Sequence, residues 1–186
     1  MKTQLDIDKI IKSGVITNEL DFERALIADR KLRVLSKENS SLKSIRKELR
    51  NIIANYENKH WSSESSISEN KLKESDTAEL IAEKERVFIE NRKSIIKSKL
   101  KKHAINQQEL GVILGHSSKS YMSELMNGIC PFSLTDLIVI NRLLKIDLTD
   151  LIPTFLPQKQ RLKVKKSIER LGKPNLKLSK KDFAFA

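Results

Sequence analysis

Residues 106–128 read NQQELGVILGHSSKSYMSELMNG, and this stretch predicts two short helices separated by a tight turn. Asn106 can cap the first helix with its side-chain oxygen, and Glu109 can reach back to the backbone N–H of Asn106. Gly115 is expected to end this first helix. Ser117 or Ser118 is the expected cap of the second helix, and Gly128 is expected to end it.

Apolar residues at helical spacing predict the buried faces of both helices. They are Leu110, Ile113 and Leu114 in the first helix, and Met122, Leu125 and Met126 in the second. Gly111 lies beside the first apolar stripe, and its lack of a side chain allows another helix to approach closely. The two helices are therefore expected to pack tightly on each other.

The outer face of the second helix is polar, with Ser118, Lys119, Ser120, Tyr121, Ser123 and Glu124. Hydroxyl, amine and carboxylate groups of this kind can bond phosphates and base edges in the major groove of DNA. Glu124 can accept a hydrogen bond from a cytosine amine or can repel phosphate. Gln107, at the positive end of the first helix, is expected to bind a phosphate. His116 and Ser117, in the turn, complete the predicted DNA-binding set.

This pattern resembles the helix-turn-helix domain of the phage-repressor (Xre) superfamily. The matching residues are Asn106-Gln107, Leu110-Gly111, Leu114-Gly115, Met122, residues 125–128 and the apolar positions from Ser133 to Leu151. The resemblance covers about residues 91–156 and implies a five-helix domain. The run from Gly115 to Met122 is slightly longer than the family's turn. Ile129-Cys130 replace the Lys-Arg pair that often follows Asn-Gly in the family.

The N-terminal sequence predicts three more helices. Leu5 to Lys12 forms a short helix stopped by Gly14, and Thr17 to Asp21 caps a second helix. The third is amphipathic, with apolar residues at positions 42, 45, 49, 52, 53 and 56.

This N-terminal region resembles that of HigA-type antitoxin regulators, on residues 16–26 and 53–60. Tyr56-Glu57, Lys59 and His60 are the most telling residues. The resemblance implies that the protein neutralises an mRNA-cleaving toxin and represses the operon that encodes both.

The segment that follows is rich in Ser, Glu and Lys, and predicts a polar linker over residues 62–76. A long helix is then expected from Thr77 to about Lys102, with a near-heptad apolar stripe. Such a stripe pairs either with a second copy of itself or with the N-terminal hairpin, and we favour dimerisation.

Composition favours a soluble, cytoplasmic, helical protein. The 186 residues include only five Gly and four Pro, one Cys and no apolar run long enough to span a membrane. The net charge of +12 favours a polyanion as partner. The charge is concentrated in residues 158–186, which carry 10 Lys and Arg against 2 Asp and Glu. This tail is either solvated, in contact with phosphates, or added to a partner's sheet through Phe183 and Phe185.

No pattern indicates catalysis. The three histidines, His60, His103 and His116, have no carboxylate or cysteine at ligand spacing, and Cys130 has no paired base. There is no phosphate-binding glycine loop. We therefore expect no metal, no cofactor and no small-molecule substrate, and we do not expect an enzyme.

Taken together, the sequence predicts an all-α protein. An N-terminal helical region (1–61) for dimerisation or toxin binding precedes the linker (62–76). A connecting helix and helix-turn-helix domain (77–157) and a basic tail (158–186) follow. The expected function is sequence-specific repression by a homodimer on double-stranded operator DNA, with a HigB-like toxin as a possible partner. The alternatives are a stand-alone Xre-type regulator and a helical interaction module that no longer binds DNA.

Overall fold

The structure is a computed structural model that describes residues 6–62, 68–153, 158–173 and 175–176. Within these residues the protein is all-α, as predicted, with nine helices and no strand. Contacts divide the chain into two compact units, Met1–Leu151 and Ile152–Ala186. The helices are α1 (Ile7–Ser13), α2 (Glu19–Leu35), α3 (Leu42–His60), α4 (Glu69–Lys102), α5 (Gln107–Ile113), α6 (Lys119–Asn127), α7 (Leu134–Leu144), α8 (Leu148–Leu151) and α9 (Gln158–Leu171). None of the helices described is long and apolar enough to cross a membrane.

The predicted ends of the first two helices are confirmed. α1 stops at Gly14, whose φ of 67° is the left-handed conformation that glycine adopts without strain. α2 begins after Asn18, whose side-chain oxygen accepts a hydrogen bond from the N–H of Asp21 at 2.9 Å. Leu5, which we placed in the first helix, lies outside the described residues.

α2 and α3 form a hairpin around an aromatic cluster. The rings of Phe22 and Tyr56 stack at 4.8 Å between centroids, and the His60 ring stacks on Tyr56 at 4.3 Å. The Tyr56 hydroxyl donates to a carboxylate oxygen of Glu19 at 2.9 Å. Tyr56 and His60, two of the residues that carry the HigA-type resemblance, therefore hold this hairpin together.

α4 is a single helix of 34 residues, about 50 Å long. It begins at Glu69 rather than at Thr77, so residues 69–76 of the expected linker are helical. The Ser68 side chain caps it by accepting from the N–H of Lys71, and the Lys71 ammonium lies 4.6 Å from the centroid of the Trp61 ring. This cap and the contact with Trp61, directly after α3, support about two turns of helix that composition alone did not predict. Residues 63–67 of the expected linker lie outside the described residues.

The apolar stripe of α4 packs within the chain. Ile81, Ile89, Ile96 and Leu100 are buried, and α4 packs on α2 and on α6, α7 and α8. Of the two arrangements we considered for this stripe, pairing with the N-terminal hairpin is present in part, through the packing of α4 on α2, and dimerisation stays a prediction. Leu80 faces outward and is 59% exposed, because it lies off the buried stripe.

A buried cation joins α4 to the C-terminal helices of the first unit. The Arg92 guanidinium donates to the backbone oxygen of Leu151 at 3.3 Å and lies 5.2 Å from the Phe132 ring. Burial lowers the pKa of Arg92 to about 10, so it stays charged at neutral pH. This contact helps to fix α8 and the segment before α7 on the long helix.

The second unit contains α9, an amphipathic helix with a basic face. Lys163, Lys165 and Lys166 are exposed, whereas Val164 and Ile168 are half-buried. Residues 177–186, including Phe183 and Phe185, lie outside the described residues, so the proposed sheet addition stays a prediction.

Candidate nucleic-acid interface

α5 begins with the predicted capping box. The Asn106 side-chain oxygen accepts from the N–H groups of Gln108 and Glu109 at 2.9 Å, and the Glu109 carboxylate accepts from the N–H of Asn106 at 2.7 Å. Because these backbone groups have no partner inside the helix, the box fixes where α5 begins. Gln107 is therefore the first helical residue, and its side chain is half-buried.

α5 and α6 pack closely at Gly111. A Cβ atom at this position would lie 3.0 Å from the backbone oxygen of His116 and 3.5 Å from Cγ of Met122. Leu110 and the expected anchors Met122, Leu125 and Met126 are all buried. Ile113, which we expected inside, is exposed, because α5 ends there and the chain turns away.

The N-terminal turn of α6 is open to solvent. Ser118 caps the helix by accepting from the N–H of Tyr121 at 3.2 Å. Ser117, Ser118, Lys119 and Ser120 are exposed, and Tyr121 is 37% exposed. This polar turn has a fixed geometry, one ammonium group and hydroxyl groups that can both donate and accept hydrogen bonds.

The second turn of α6 faces the N-terminal region. The Lys31 ammonium donates to the backbone oxygen of Asn127 at 3.0 Å, and the Asn127 amide donates to the backbone oxygen of Ser123 at 2.8 Å. Glu124 is half-buried, and burial followed by the charge of Asp8 raises its pKa. Ser123 and Glu124 are thus half-buried and contact other parts of the protein, whereas we expected both to face solvent.

The residues after α6 form a contact with α1. Ile129 and Cys130 are both buried, and the Ile129 backbone oxygen accepts from the N–H of Ile7 at 3.5 Å. Apolar residues at these two positions allow α1 to dock there. Their burial gives a physical reason for the absence of the expected basic pair.

His116 has a structural partner. Its Nε2 lies 3.0 Å from a carboxylate oxygen of Asp136, and Asp136 also accepts from the N–H of Ser133 at 2.9 Å to cap α7. The His116 ring meets the Tyr121 ring edge-on at 5.2 Å. His116 therefore connects the turn to α6 and α7, and its Nε2 is engaged within the protein.

Residues of α1, α2 and the turn after α2 contact α6 or the residues that follow it, and these contacts were not predicted. Asn39 is the clearest case, because its amide donates to the Ser120 hydroxyl at 3.0 Å across 81 positions of the chain. No local pattern could predict this contact. The basic residues that follow Asn39 recur at helical spacing and were visible in the sequence.

We compared the chain with protein-family models, curated proteins and solved structures, and found no match.

The contact between α1 and α6 gives a testable property of Cys130. Burial, followed by the charges of Asp8 and Glu124, raises the pKa of its thiol to about 12. Only the thiolate is nucleophilic, so the native thiol should react with a disulfide reagent at pH 8 at least about 100-fold more slowly than in denaturant. Thiol titration with and without denaturant measures this ratio. Similar rates in both conditions would mean that α1 does not protect Cys130 in solution.

Proposed function

We propose that this protein is a sequence-specific DNA-binding transcriptional repressor of the helix-turn-helix type. The observation that carries the proposal is the exposed, capped first turn of α6, with Lys119 and three serines, held on α5 at Gly111. In helix-turn-helix proteins the N-terminal residues of the second helix contact base edges. The end of α4 together with α5 to α8 would then form the five-helix, repressor-like domain.

Within this proposal, the residues that contact the DNA bases are Ser117 to Tyr121. Gln107, at the start of α5, binds a backbone phosphate. Ser123 and Glu124 would contribute indirectly, because their contacts with the protein orient α6. The covered second turn limits base contacts to one end of the helix.

The repressor is proposed to act as a homodimer on a palindromic operator, which presents two recognition helices about one helical turn of DNA apart. Part of the apolar stripe of α4 is buried within the chain, so another surface is needed for much of the interface. Leu134 and Ile138 lie one turn apart on α7 and are both exposed. They offer an apolar contact for a second copy.

The antitoxin role is a further part of the proposal and rests on the HigA-type resemblance. A toxin partner would be encoded beside this gene as a small basic protein that is harmful when expressed alone. Co-expression of that protein with this chain should restore growth. Continued growth arrest would leave the stand-alone regulator as the preferred function.

The first experiment compares binding to two duplexes of equal length, the DNA upstream of the protein's own reading frame and a scrambled sequence, at about 150 mM salt. A repressor should prefer its own DNA by roughly a thousand-fold or more. Equal affinity for both duplexes would mean that general basic charge, and not α6, drives binding.

Replacing Lys119 with alanine tests whether this residue contacts a DNA base. If Lys119 contacts a base, Lys119→Ala should lower the preference for the upstream DNA by about 1–3 kcal/mol. Fluorescence anisotropy with both duplexes measures the change. Lys59→Ala removes an exposed lysine from the end of α3 and should leave the preference unchanged. Equal weakening on both duplexes by Lys119→Ala would instead assign Lys119 to a phosphate.

A second candidate function is a helical interaction module that does not bind DNA. The docking of α1 on Ile129 and Cys130, and the hydrogen bond from Lys31 of α2 to Asn127 at the end of α6, favour this alternative. It predicts no specific DNA complex at any moderate salt concentration, so the same binding experiment distinguishes the two functions.

A further inference from the structure

A second basic surface lies around the end of α2 and along α3. Residues 31–50 contain seven Lys and Arg against two Asp and Glu. Five of these cations are exposed and have no ion-pair partner among the described residues: Arg33, Lys37, Lys43, Lys47 and Arg50. Cations that are not neutralised by a neighbour attract a polyanion most strongly.

Three of these cations line one groove. Lys43, Lys47 and Arg50 follow one another at spacings of four and three residues, and so lie on one face of α3. Together with Asn51 and Ser36 they surround an open volume of about 330 Å³. Arg46, also in the wall, is held by the Asp29 carboxylate at 2.8 Å. Ammonium, guanidinium and amide donors are the groups that bind DNA phosphates.

The turn between α2 and α3, which leads into the helix that carries this groove, contacts α6. The Asn39 amide donates to the hydroxyl of Ser120, in the exposed first turn of α6, at 3.0 Å. Lys43 follows Asn39 by only four residues. A duplex that meets Ser120 therefore comes close to the beginning of α3.

The end of α6 provides no cation for this duplex. Ile129 and Cys130, which follow the C-cap Gly128, are uncharged and buried. The only lysine or arginine within α6 is Lys119. Cations from the N-terminal hairpin would supply phosphate contacts that α6 itself lacks.

From these observations we infer that the groove formed by Lys43, Lys47, Arg50 and Asn51 binds the phosphate backbone of the DNA read by α6. The inference rests on the proposed function and extends it, because it makes the N-terminal hairpin part of the DNA-binding surface. Phosphate contacts of this kind add affinity without sequence preference.

The test is the triple variant Lys43→Ala/Lys47→Ala/Arg50→Ala of the full chain, with anisotropy on the upstream and scrambled duplexes across a salt series. Each lost phosphate contact removes about 0.9 from the slope of log affinity against log salt. Losing three contacts should weaken binding to both duplexes by about 10- to 100-fold at 150 mM salt. The ratio between the two duplexes should stay near that of the unmodified protein.

Two matched variants serve as controls. Lys12→Ala/Lys59→Ala/Lys97→Ala removes the same charge from exposed positions of α1, α3 and α4, and should change the affinity by less than about threefold. Lys43→Arg/Lys47→Arg/Arg50→Lys keeps the charge and should retain binding. Far-ultraviolet circular dichroism checks that each variant is folded.

The outcomes separate the inference from the proposed function. If the unmodified protein does not bind DNA even at low salt, both fail. If it binds and the triple variant matches it in affinity and salt slope, only the groove is excluded. Tighter binding by the triple variant would also overturn the inference, because it would mean that the N-terminal hairpin obstructs α6.

Discussion

Replacing Glu85 with alanine is expected to lower the free energy of unfolding by about 3–5 kcal/mol, because it leaves the Arg24 guanidinium buried without its main partner. Arg24 on α2 is 7% exposed and Glu85 on α4 is 6% exposed. The two nitrogens Nε and Nη2 of Arg24 donate to the two carboxylate oxygens of Glu85 at 2.6 and 2.5 Å. Such a bidentate ion pair fixes the register of α2 against α4. Chemical denaturation measures the loss.

Glu83→Ala is the matched control, since Glu83 pairs with Arg86 at 2.6 Å on the exposed side of the same helix. Exposed pairs contribute little, so this change should cost less than about 1 kcal/mol. The double variant Arg24→Met/Glu85→Leu removes both charges and should recover most of the lost stability. A loss below about 1 kcal/mol for Glu85→Ala would show that water reaches Arg24. It would mean that α2 packs less tightly on α4 than in the structure.

Replacing Met122 with alanine is expected to cost about 2–5 kcal/mol of unfolding free energy and to abolish the proposed DNA binding. Met122 is 1% exposed and fills the space that Gly111 leaves open between α5 and α6. Removing three heavy atoms there creates a cavity where the two helices meet. The expected readouts are denaturation for stability and anisotropy for DNA affinity.

Met122→Leu keeps most of the side-chain volume and should cost less than about 1.5 kcal/mol. Val112→Ala changes a side chain on α5 that is 70% exposed, and should leave both stability and binding nearly unchanged. Normal stability and binding in Met122→Ala would contradict the role of Met122 as the anchor of α6.

Local features of the fold were predictable because their causes are local. The caps at Asn18, Asn106 and Ser118 depend on a side chain and an N–H group within three residues, and all three are present. Gly14 and Gly128 end their helices in the left-handed conformation. The predicted start of α4 was wrong, because the observed start depends on residues outside the helix, such as Trp61, whose ring lies beneath Lys71.

The partners of each helix face were not predictable in the same way. Periodicity indicates that a face of α4 is buried, but it does not specify whether a second copy or another part of the chain covers it. For α6, the exposed first turn followed from the sequence. The burial of Glu124 did not, because it depends on Asp8 and on Cys130, which are separated by 122 positions.

The long α4 helix holds the N-terminal hairpin and α6 in fixed positions relative to each other. Lys31 of α2 pairs with Glu90 of α4 at 2.9 Å, and Lys93 of α4 donates to the Asn127 side chain at the end of α6 at 2.6 Å. The N-terminal hairpin and α6 are thus fixed to the same rod within one turn of each other. Their relative orientation is set when the chain folds, so binding would require little further loss of conformational entropy. A surface that is already formed before binding favours partners whose own shape is also fixed and regular.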